Sequence, residues 1–244
     1  MELQKLFKMK LLLLLFFCVN LQAQPIEFIV AAAVGGPDDT ITRKLILKLE
    51  EQSNLKFVVI NKPGAAHTIG YNYMNQSVQP SLMISNNNIV NNDLYKTSKP
   101  VFKLGTFTNI VFVSKASPIK DMKDLIELSQ KRQINFAHGG VGTASHKAMS
   151  RLCEKILNCL PVPYKGASQA MLDLLNGTVD TFAVVSYGAD SFLQNTSYKS
   201  IGKITNEDNW VILFGKNLSD KNIETIQNIL SGVSLNFFIE MGFN

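Results

Sequence analysis

Residues 34–40 read VGGPDDT, and residues 139–146 read GGVGTASH. Each stretch follows a short apolar run, FIVA at residues 28–31 and INFA at residues 134–137, and each precedes a helix-like pattern. We therefore predict two strand-to-helix turns, which direct free backbone N–H groups and the positive end of a helix dipole outward. One such turn is a candidate anion site. Two of them in one chain indicate two domains that hold one anion between them.

The N-terminal residues have the pattern of a signal peptide, which predicts export. Three lysines precede an apolar run at residues 11–19, and the short polar stretch after this run ends at Ala23, the expected cleavage site. The apolar run is too short to span a bilayer. Two alternatives stay open, an uncleaved anchor and a lipoprotein attached through Cys18. Phe17 disfavours the lipoprotein because a small residue normally precedes the modified cysteine.

Length and charge limit the class of protein. Without residues 1–23, 221 of the 244 residues remain, and the formal net charge falls from +5 to +3 because three lysines and one glutamate are removed. This mild positive excess suits an anionic small molecule. Nucleic acid is disfavoured as a partner, since no basic stripe with interleaved aromatic residues is present. The remaining length fits one large domain or two small ones.

Short apolar runs alternate with helix-like patterns along the chain. The predicted strands are Ile26–Ala31, Phe57–Ile60, Leu82–Ile84, Ile110–Val113, a strand ending near Val162, Val179–Val185 and Trp210–Phe214. The predicted helices are Thr40–Glu50 with Asp38 or Asp39 as N-cap, one through Tyr73, one capped by Asp121, one through Met149 and Ile156, one stopped by Gly177, and one starting at Ser219. This alternation predicts an α/β fold with parallel or mixed sheet and helices on both faces.

Two cysteines, Cys153 and Cys159, follow the expected cleavage site. On one continuous helix they would lie too far apart to bond. If the helix ends near Leu157, the chain can fold back and a disulfide can form, which an exported protein permits. Buried free thiols are the alternative.

The second turn contains residue types that also occur in catalytic sites. His138 and His146 flank it, close to Ser145. However, no Gly-x-Ser-x-Gly nucleophile elbow is present, and the histidines and cysteines lack zinc-ligand spacing. We therefore predict no catalytic residue, no metal and no cofactor, and we interpret His146 as a helix-start residue whose ring hydrogen-bonds the loop. A hydrolase that uses Ser145 or Cys153 is the least favoured hypothesis.

Five short motifs occur in order along the chain. They are GGxxDxxxR at residues 35–43, NKPGA at 61–65, GTxSH at 142–146, VPYKG at 162–166 and DLLNGxVD at 173–180. This series resembles the substrate-binding receptors of tripartite tricarboxylate transporters, often called Bug receptors, from about Pro25 to Gly215. The resemblance implies a two-lobed periplasmic binding protein of type II-like architecture with a ligand cleft between the lobes. Lobe 1 would comprise residues 24–113 plus 206–244, and lobe 2 residues 114–205.

The resemblance also implies a small organic carboxylate as ligand, held by both turns. Backbone N–H groups bind carboxylate oxygens without extra side-chain ordering, and hydroxyl groups bond strongly to an ionised acceptor. The implied contacts are Gly35, Gly36 and Asp39 in lobe 1, Val141, Gly142, Thr143 and Ser145 in lobe 2, and, as weaker candidates for the far end of the ligand, Asn86 or Asn87 and Ser186.

Several of these residues also have structural interpretations. A carboxylate on Asp39 would repel an anionic ligand, so an N-cap or a brace for the loop is the favoured role for this residue. Arg43 is expected to pair with a carboxylate outside the cleft. Tyr164 and Lys165 lie at a strand end that faces the cleft or its rim, where Tyr164 either packs or contacts ligand.

The sequence departs from the family pattern at Ala66 and His67, which replace a pair of glycines. Glycine is often kept for positive φ or a close backbone approach, so this loop is expected to differ in shape or to contact a different ligand end. The implied function is a monomeric periplasmic receptor that delivers a carboxylate to membrane permease subunits. The alternative is a repurposed receptor that signals its ligand state to a membrane partner.

Overall fold

The computed structural model describes residues 24–87, 97–204 and 209–243, so the predicted signal peptide lies outside the described residues. The strands are β1 Ile26–Val30, β2 Phe57–Asn61, β3 Ser81–Asn86, β4 Lys99–Thr106, β5 Asn109–Ser114, β6 Ile134–His138, β7 Cys159–Pro163, β8 Thr181–Val185, β9 Tyr198–Ile204 and β10 Trp210–Lys216. The helices are α1 Pro37–Glu51, α2 Thr68–Gln76, α3 Met122–Ser129, α4 Ala144–Cys153, α5 Ala167–Leu175, α6 Asp190–Leu193, α7 Asp220–Gly232 and α8 Leu235–Glu240, with a 3-10 turn at Ala65–His67. In the described ranges, no helix has the length and apolar character needed to cross a membrane.

The first sheet has the strand order β2-β1-β3-β10-β4. β1 is parallel to β2 and β3, whereas β10 is antiparallel to β3 and β4. Successive residues of a strand point to opposite faces, so Phe28 packs with Ile41 and Leu45 of α1, and Ile29 packs on the other face with Met83 and Phe214. The predicted apolar face of α1 is confirmed.

The second sheet has the strand order β7-β6-β8-β5-β9. β6 is parallel to β7 and β8, and β5 runs antiparallel between β8 and β9. One face buries Phe182 against Leu174 of α5, and the other buries Phe136 against Leu125 of α3 and Met149 of α4. The predicted α/β architecture, with mixed sheets and helices on both faces, is confirmed.

The chain passes from the first sheet to the second between β4 and β5, and it returns between β9 and β10. The predicted lobe boundary at residue 113 places most of β5 in lobe 1, but in the structure β5 pairs with β8 and β9 of the second sheet. We propose that lobe 2 begins just before Asn109 and ends before Trp210.

Two local expectations are settled by the geometry of helix ends. The N-cap of α1 is Gly36, followed by Pro37, rather than Asp38 or Asp39. Proline is favoured at the first helical position because its missing N–H would have no partner there. The second expectation concerns the two cysteines, for which a disulfide and free thiols were both open. α4 ends at Cys153 and the chain returns into β7 at Cys159, and the two cysteines form a disulfide with their Cα atoms 5.5 Å apart.

Candidate functional site

A cavity of about 410 Å³ lies where residues of both lobes meet. Its walls come from the segment after β1, the start of α1, the 3-10 turn, the end of β3, the β6–α4 turn, the β7–α5 loop and the end of β8. These are mostly the carboxyl ends of strands, the edge at which open α/β sheets place their ligands. The cavity is therefore the candidate functional site.

The start of α4 supplies backbone donors to this cavity. Thr143 is the N-cap, and its hydroxyl accepts the His146 N–H at 3.3 Å and donates to the Gly140 carbonyl at 2.7 Å. Within the described residues, the N–H groups of Ala144 and Ser145 make no hydrogen bond, and both residues line the cavity. The first turn of α4 carries no acidic residue. The free N–H groups and the helix dipole together form a site for an anion.

The second turn contributes three of its four predicted contact residues to the cavity lining, namely Val141, Thr143 and Ser145. Gly142 does not line the cavity. Its N–H donates to His146 Nδ1 at 3.3 Å. This bond confirms the predicted role of the His146 ring. Ser145 Oγ accepts the Gly139 N–H at 3.0 Å and lies 3.2 Å from Thr143 Oγ1, so these hydroxyls also hold the turn in shape.

In the first turn, Gly36 lines the cavity, whereas Gly35 and Asp39 do not. Asp39 accepts the Gly35 N–H at 2.9 Å, both Nε and Nη2 of Arg43 at 3.0 Å, and Nδ2 of Asn61 at 3.0 Å. Burial by itself would raise the pKa of Asp39, but these donors hold that pKa below its usual value. In this arrangement Asp39 braces the loop, the structural role that the sequence analysis favours.

The two weaker candidates differ in position. Asn86 lines the cavity at the end of β3, and its Nδ2 donates to the Tyr187 hydroxyl at 3.1 Å. Asn87, the alternative to Asn86, accepts the Trp210 N–H at 3.1 Å. Ser186 lies outside the lining, where its hydroxyl donates to the Gly242 carbonyl at 2.6 Å and accepts the Thr108 N–H at 3.2 Å.

The cavity wall contains an acidic group, Asp38, that was not predicted from the sequence. The Asp38 carboxylate lies 3.5 Å from His67 Nε2, and these side chains are only 13% and 14% exposed, respectively. Burial raises the pKa of Asp38, an effect that His67 and Tyr187 partly offset, and burial raises the pKa of Tyr187 well above its usual value. The sequence DD at residues 38–39 is the signal that could have identified Asp38. The loop needs only one aspartate as its brace, which is Asp39, so the second aspartate is left for another role.

The loop that carries His67 has an unusual backbone. Ala65, Ala66 and His67 all have positive φ, at 46°, 48° and 72°. Non-glycine residues adopt this conformation at a cost, so the surrounding structure must stabilise the loop. His67 lines the cavity, so this loop forms part of its wall, and a contact between the loop and a ligand stays a prediction.

Residues of the first lobe contact residues of the second lobe around the cavity. Lys44 of α1 forms an ion pair with Asp190 of α6 at 2.6 Å. A Cβ atom on Gly166 would lie 3.0 Å from the Cβ of Ala33, and one on Gly188 would overlap the Pro37 backbone. These contacts join the first lobe to the second, so the structure corresponds to a closed cleft.

Comparison with known proteins identifies the same family over most of the chain. The family model described as "Tripartite tricarboxylate transporter family receptor" matches residues 41–211. A UPF0065 protein of Bordetella pertussis is 24% identical over 199 residues, which cover 76% of this chain and 62% of that protein. Another, from Pseudomonas sp. strain P51, is 27% identical over 172 residues, covering 65% of this chain and 51% of that protein. The chain thus spans about half to three fifths of the length of these curated relatives.

Solved structures share the fold. The periplasmic binding protein BugD has a TM-score of 0.73 at 22% identity, with 89% of this chain and 86% of that chain covered. A Rhodopseudomonas palustris protein with bound malate has a TM-score of 0.72 at 19% identity, with 89% and 88% covered. An R. palustris protein with adipate has a TM-score of 0.76 at 17% identity, with 91% and 89% covered. The chain therefore has the fold of the two-lobed periplasmic binding proteins.

Proposed function

We propose that this chain, which belongs to the tripartite tricarboxylate transporter receptor family, is an extracytoplasmic receptor that binds a small organic carboxylate. The observation that carries the proposal is the free helix N-terminus of α4, which faces a cavity enclosed by both lobes. The malate and adipate in the two R. palustris structures are carboxylates, which is consistent with this ligand class.

The carboxylate would accept the N–H groups of Ala144 and Ser145, at the positive end of the α4 dipole. Lys165, in the β7–α5 loop of the same lobe as α4, also lines the cavity and adds a cation. Because the ligand would contact both lobes, it would bind the closed form more tightly than the open form and shift the population toward closure. The closed monomer in the periplasm would then present its ligand to the membrane permease subunits.

A panel of organic carboxylates tests this proposal by thermal unfolding of the purified mature protein. A ligand that binds only the folded state at about a hundred times its Kd adds about 2.7 kcal/mol, which raises Tm by about 5–10 °C for a protein of this size. A folded protein whose Tm no carboxylate raises would contradict the proposal.

Substitution of Ser145 locates the site. We expect Ser145→Ala to weaken any carboxylate that binds, because the Gly139 N–H loses its acceptor and the turn loses its shape. Ser150→Ala on the same helix is the control, since Ser150 Oγ bonds only the His146 carbonyl outside the cavity lining. If both variants bind the carboxylate as tightly as the unmodified protein does, the binding site does not lie at the α4 turn.

A further inference from the structure

Helices α1 and α4, which both begin at the cavity, differ in charge. The first turn of α1 carries Asp38 and Asp39, whereas the first turn of α4 carries no acidic residue. Acidic side chains at a helix N-terminus neutralise the positive end of its dipole. The N-terminus of α1 is therefore neutralised by carboxylates of the chain itself, whereas the N-terminus of α4 can bind an anionic ligand.

Of these two carboxylates, only Asp38 belongs to the cavity wall. Asn86 Nδ2 donates to the Tyr187 hydroxyl at 3.1 Å, and both residues also line the cavity. When ionised, the Asp38 carboxylate can only accept hydrogen bonds.

The partners of Asp38 do not satisfy it fully. An ionised carboxylate offers about four acceptor positions, and in the described part of the chain the side-chain partner of Asp38 is His67. The His67 contact, at 3.5 Å, is longer than a normal N–H···O hydrogen bond. A charge removed from water with this little compensation is costly, which agrees with the upward direction of the Asp38 pKa. A cationic donor in the cavity would supply the missing compensation.

We infer that the ligand is an amino carboxylate, whose carboxylate binds at α4 and whose ammonium group binds at Asp38. The inference rests on the proposed function and narrows its ligand class. It assigns a charge gradient to the cavity, with Lys165 and the α4 terminus on one side and Asp38 on the other.

Matched ligand pairs test the inference by calorimetry on the mature protein. Each dicarboxylate is compared with amino carboxylates of the same carbon number: succinate with 4-aminobutyrate and with aspartate, glutarate with 5-aminopentanoate and with glutamate, and adipate with 6-aminohexanoate. We expect the best amino carboxylate to bind at least about tenfold more tightly than its dicarboxylate partner, the range for a hydrogen-bonded charge. Dicarboxylates that bind as tightly as their amino partners, or more tightly, would overturn this inference and leave the proposed function intact. A panel in which neither class binds would overturn both.

The variant Asp38→Asn separates the ammonium contact from general effects. It removes the charge but keeps the shape, so we expect the preference for the amino carboxylate to fall at least about tenfold while dicarboxylate binding is kept or improved. Asp220→Asn, an exposed first-turn acid of α7 outside the cavity, is the matched control and should leave both affinities unchanged. An unchanged preference in Asp38→Asn would overturn the assignment. If this variant does not fold, the matched pairs on the unmodified protein still decide between the two ligand classes.

Discussion

His138 is a buried histidine at the end of β6 that the fold keeps neutral. Burial lowers its pKa to about 4, and the neighbouring ring of His146, 4.6 Å away between centroids, contributes in the same direction. Its Nδ1 accepts the Gly140 N–H at 3.2 Å. One ring nitrogen of His138 therefore supports the turn that precedes the anion site.

The depressed pKa of His138 predicts a loss of stability in weak acid. The unfolded chain takes up the proton near pH 6.5 and the native protein only near pH 4, so the contribution is complete above pH 6.5 and is lost as the pH falls to 4. We expect a decrease of about 3 kcal/mol in the free energy of unfolding from this group, measured by urea denaturation at a series of pH values. His138→Asn keeps an acceptor for Gly140 but does not titrate. An identical pH dependence in this variant would contradict the prediction.

Asp39 holds the first turn together through four hydrogen bonds from Gly35, Arg43 and Asn61. We expect Asp39→Ala to lower the free energy of unfolding by about 2–4 kcal/mol, because the partly buried Gly35 N–H and Asn61 amide lose a buried, charged acceptor. Glu51→Ala is the control, since the Glu51 partner of the Lys48 ion pair is 65% exposed and such pairs contribute about 0–1 kcal/mol. Chemical denaturation that gives equal losses for both variants would refute the bracing role.

At the scale of elements, the disulfide joins the end of α4 to the start of β7. The closed loop is short, with a sequence separation of 6, so the chain-entropy model gives about 2 kcal/mol of stabilisation. We expect the double variant Cys153→Ser and Cys159→Ser to lose about that amount while it keeps ligand affinity, because the anion site lies at the opposite end of α4. Thermal unfolding with and without a thiol reductant checks this, and the double variant should not respond to reductant. A large loss of ligand affinity in the double variant would contradict it.

Some elements could be predicted from sequence and others could not. α3 begins after Asp121, which accepts the N–H groups of Lys123 and Asp124 as predicted, and α7 begins after Ser219. The strands β4 and β9 were not predicted, and both lie at sheet edges. In both of these strands, lysine and glycine interrupt the apolar residues, as is common at exposed edges, so the apolar pattern is too weak to detect. The short helices α6 and α8 also escaped prediction.

At the scale of the whole molecule, the two lobes meet at a glycine. Gly188 has φ of +68°, and a Cβ atom there would overlap the backbone of Pro37 at the start of α1. Only a residue without a side chain permits this approach. The contact brings Tyr187 into the core of the first lobe, although β8, which precedes it, belongs to the second sheet.

The variant Gly188→Ala therefore should separate the lobes. We expect a loss of at least about 2 kcal/mol in the free energy of unfolding, from positive-φ strain together with a backbone overlap, and a weaker affinity for any carboxylate that binds. Gly177→Ala is a matched control, because Gly177 has a similar φ of +74° and open space around it. It should show the strain alone, about 1 kcal/mol. Chemical denaturation and calorimetry that give the same result for both variants would exclude a role for the lobe contact.

The sequence by itself determined the features that depend on neighbouring residues. The two glycine-rich turns, the apolar faces of α1 and α7, and the caps at Asp121 and Ser219 follow from local turn chemistry and from the helical period, which one segment specifies without the rest of the chain. The candidate anion site at α4 could be predicted for this reason, because Thr143 and the free N–H groups after it belong to a single turn.

Only the tertiary structure decided which groups share the cavity. Four separate segments of the chain contribute Asp38, His67, Asn86 and Tyr187 to the cavity. Tyr187 follows β8 and is therefore far from the other three residues in the sequence. Their convergence depends on how the lobes pack, a sum of many small contacts that no local pattern encodes. The same packing directs Asp39 away from the cavity and Asp38 into its wall, which distinguishes two adjacent carboxylates that look equivalent in the sequence.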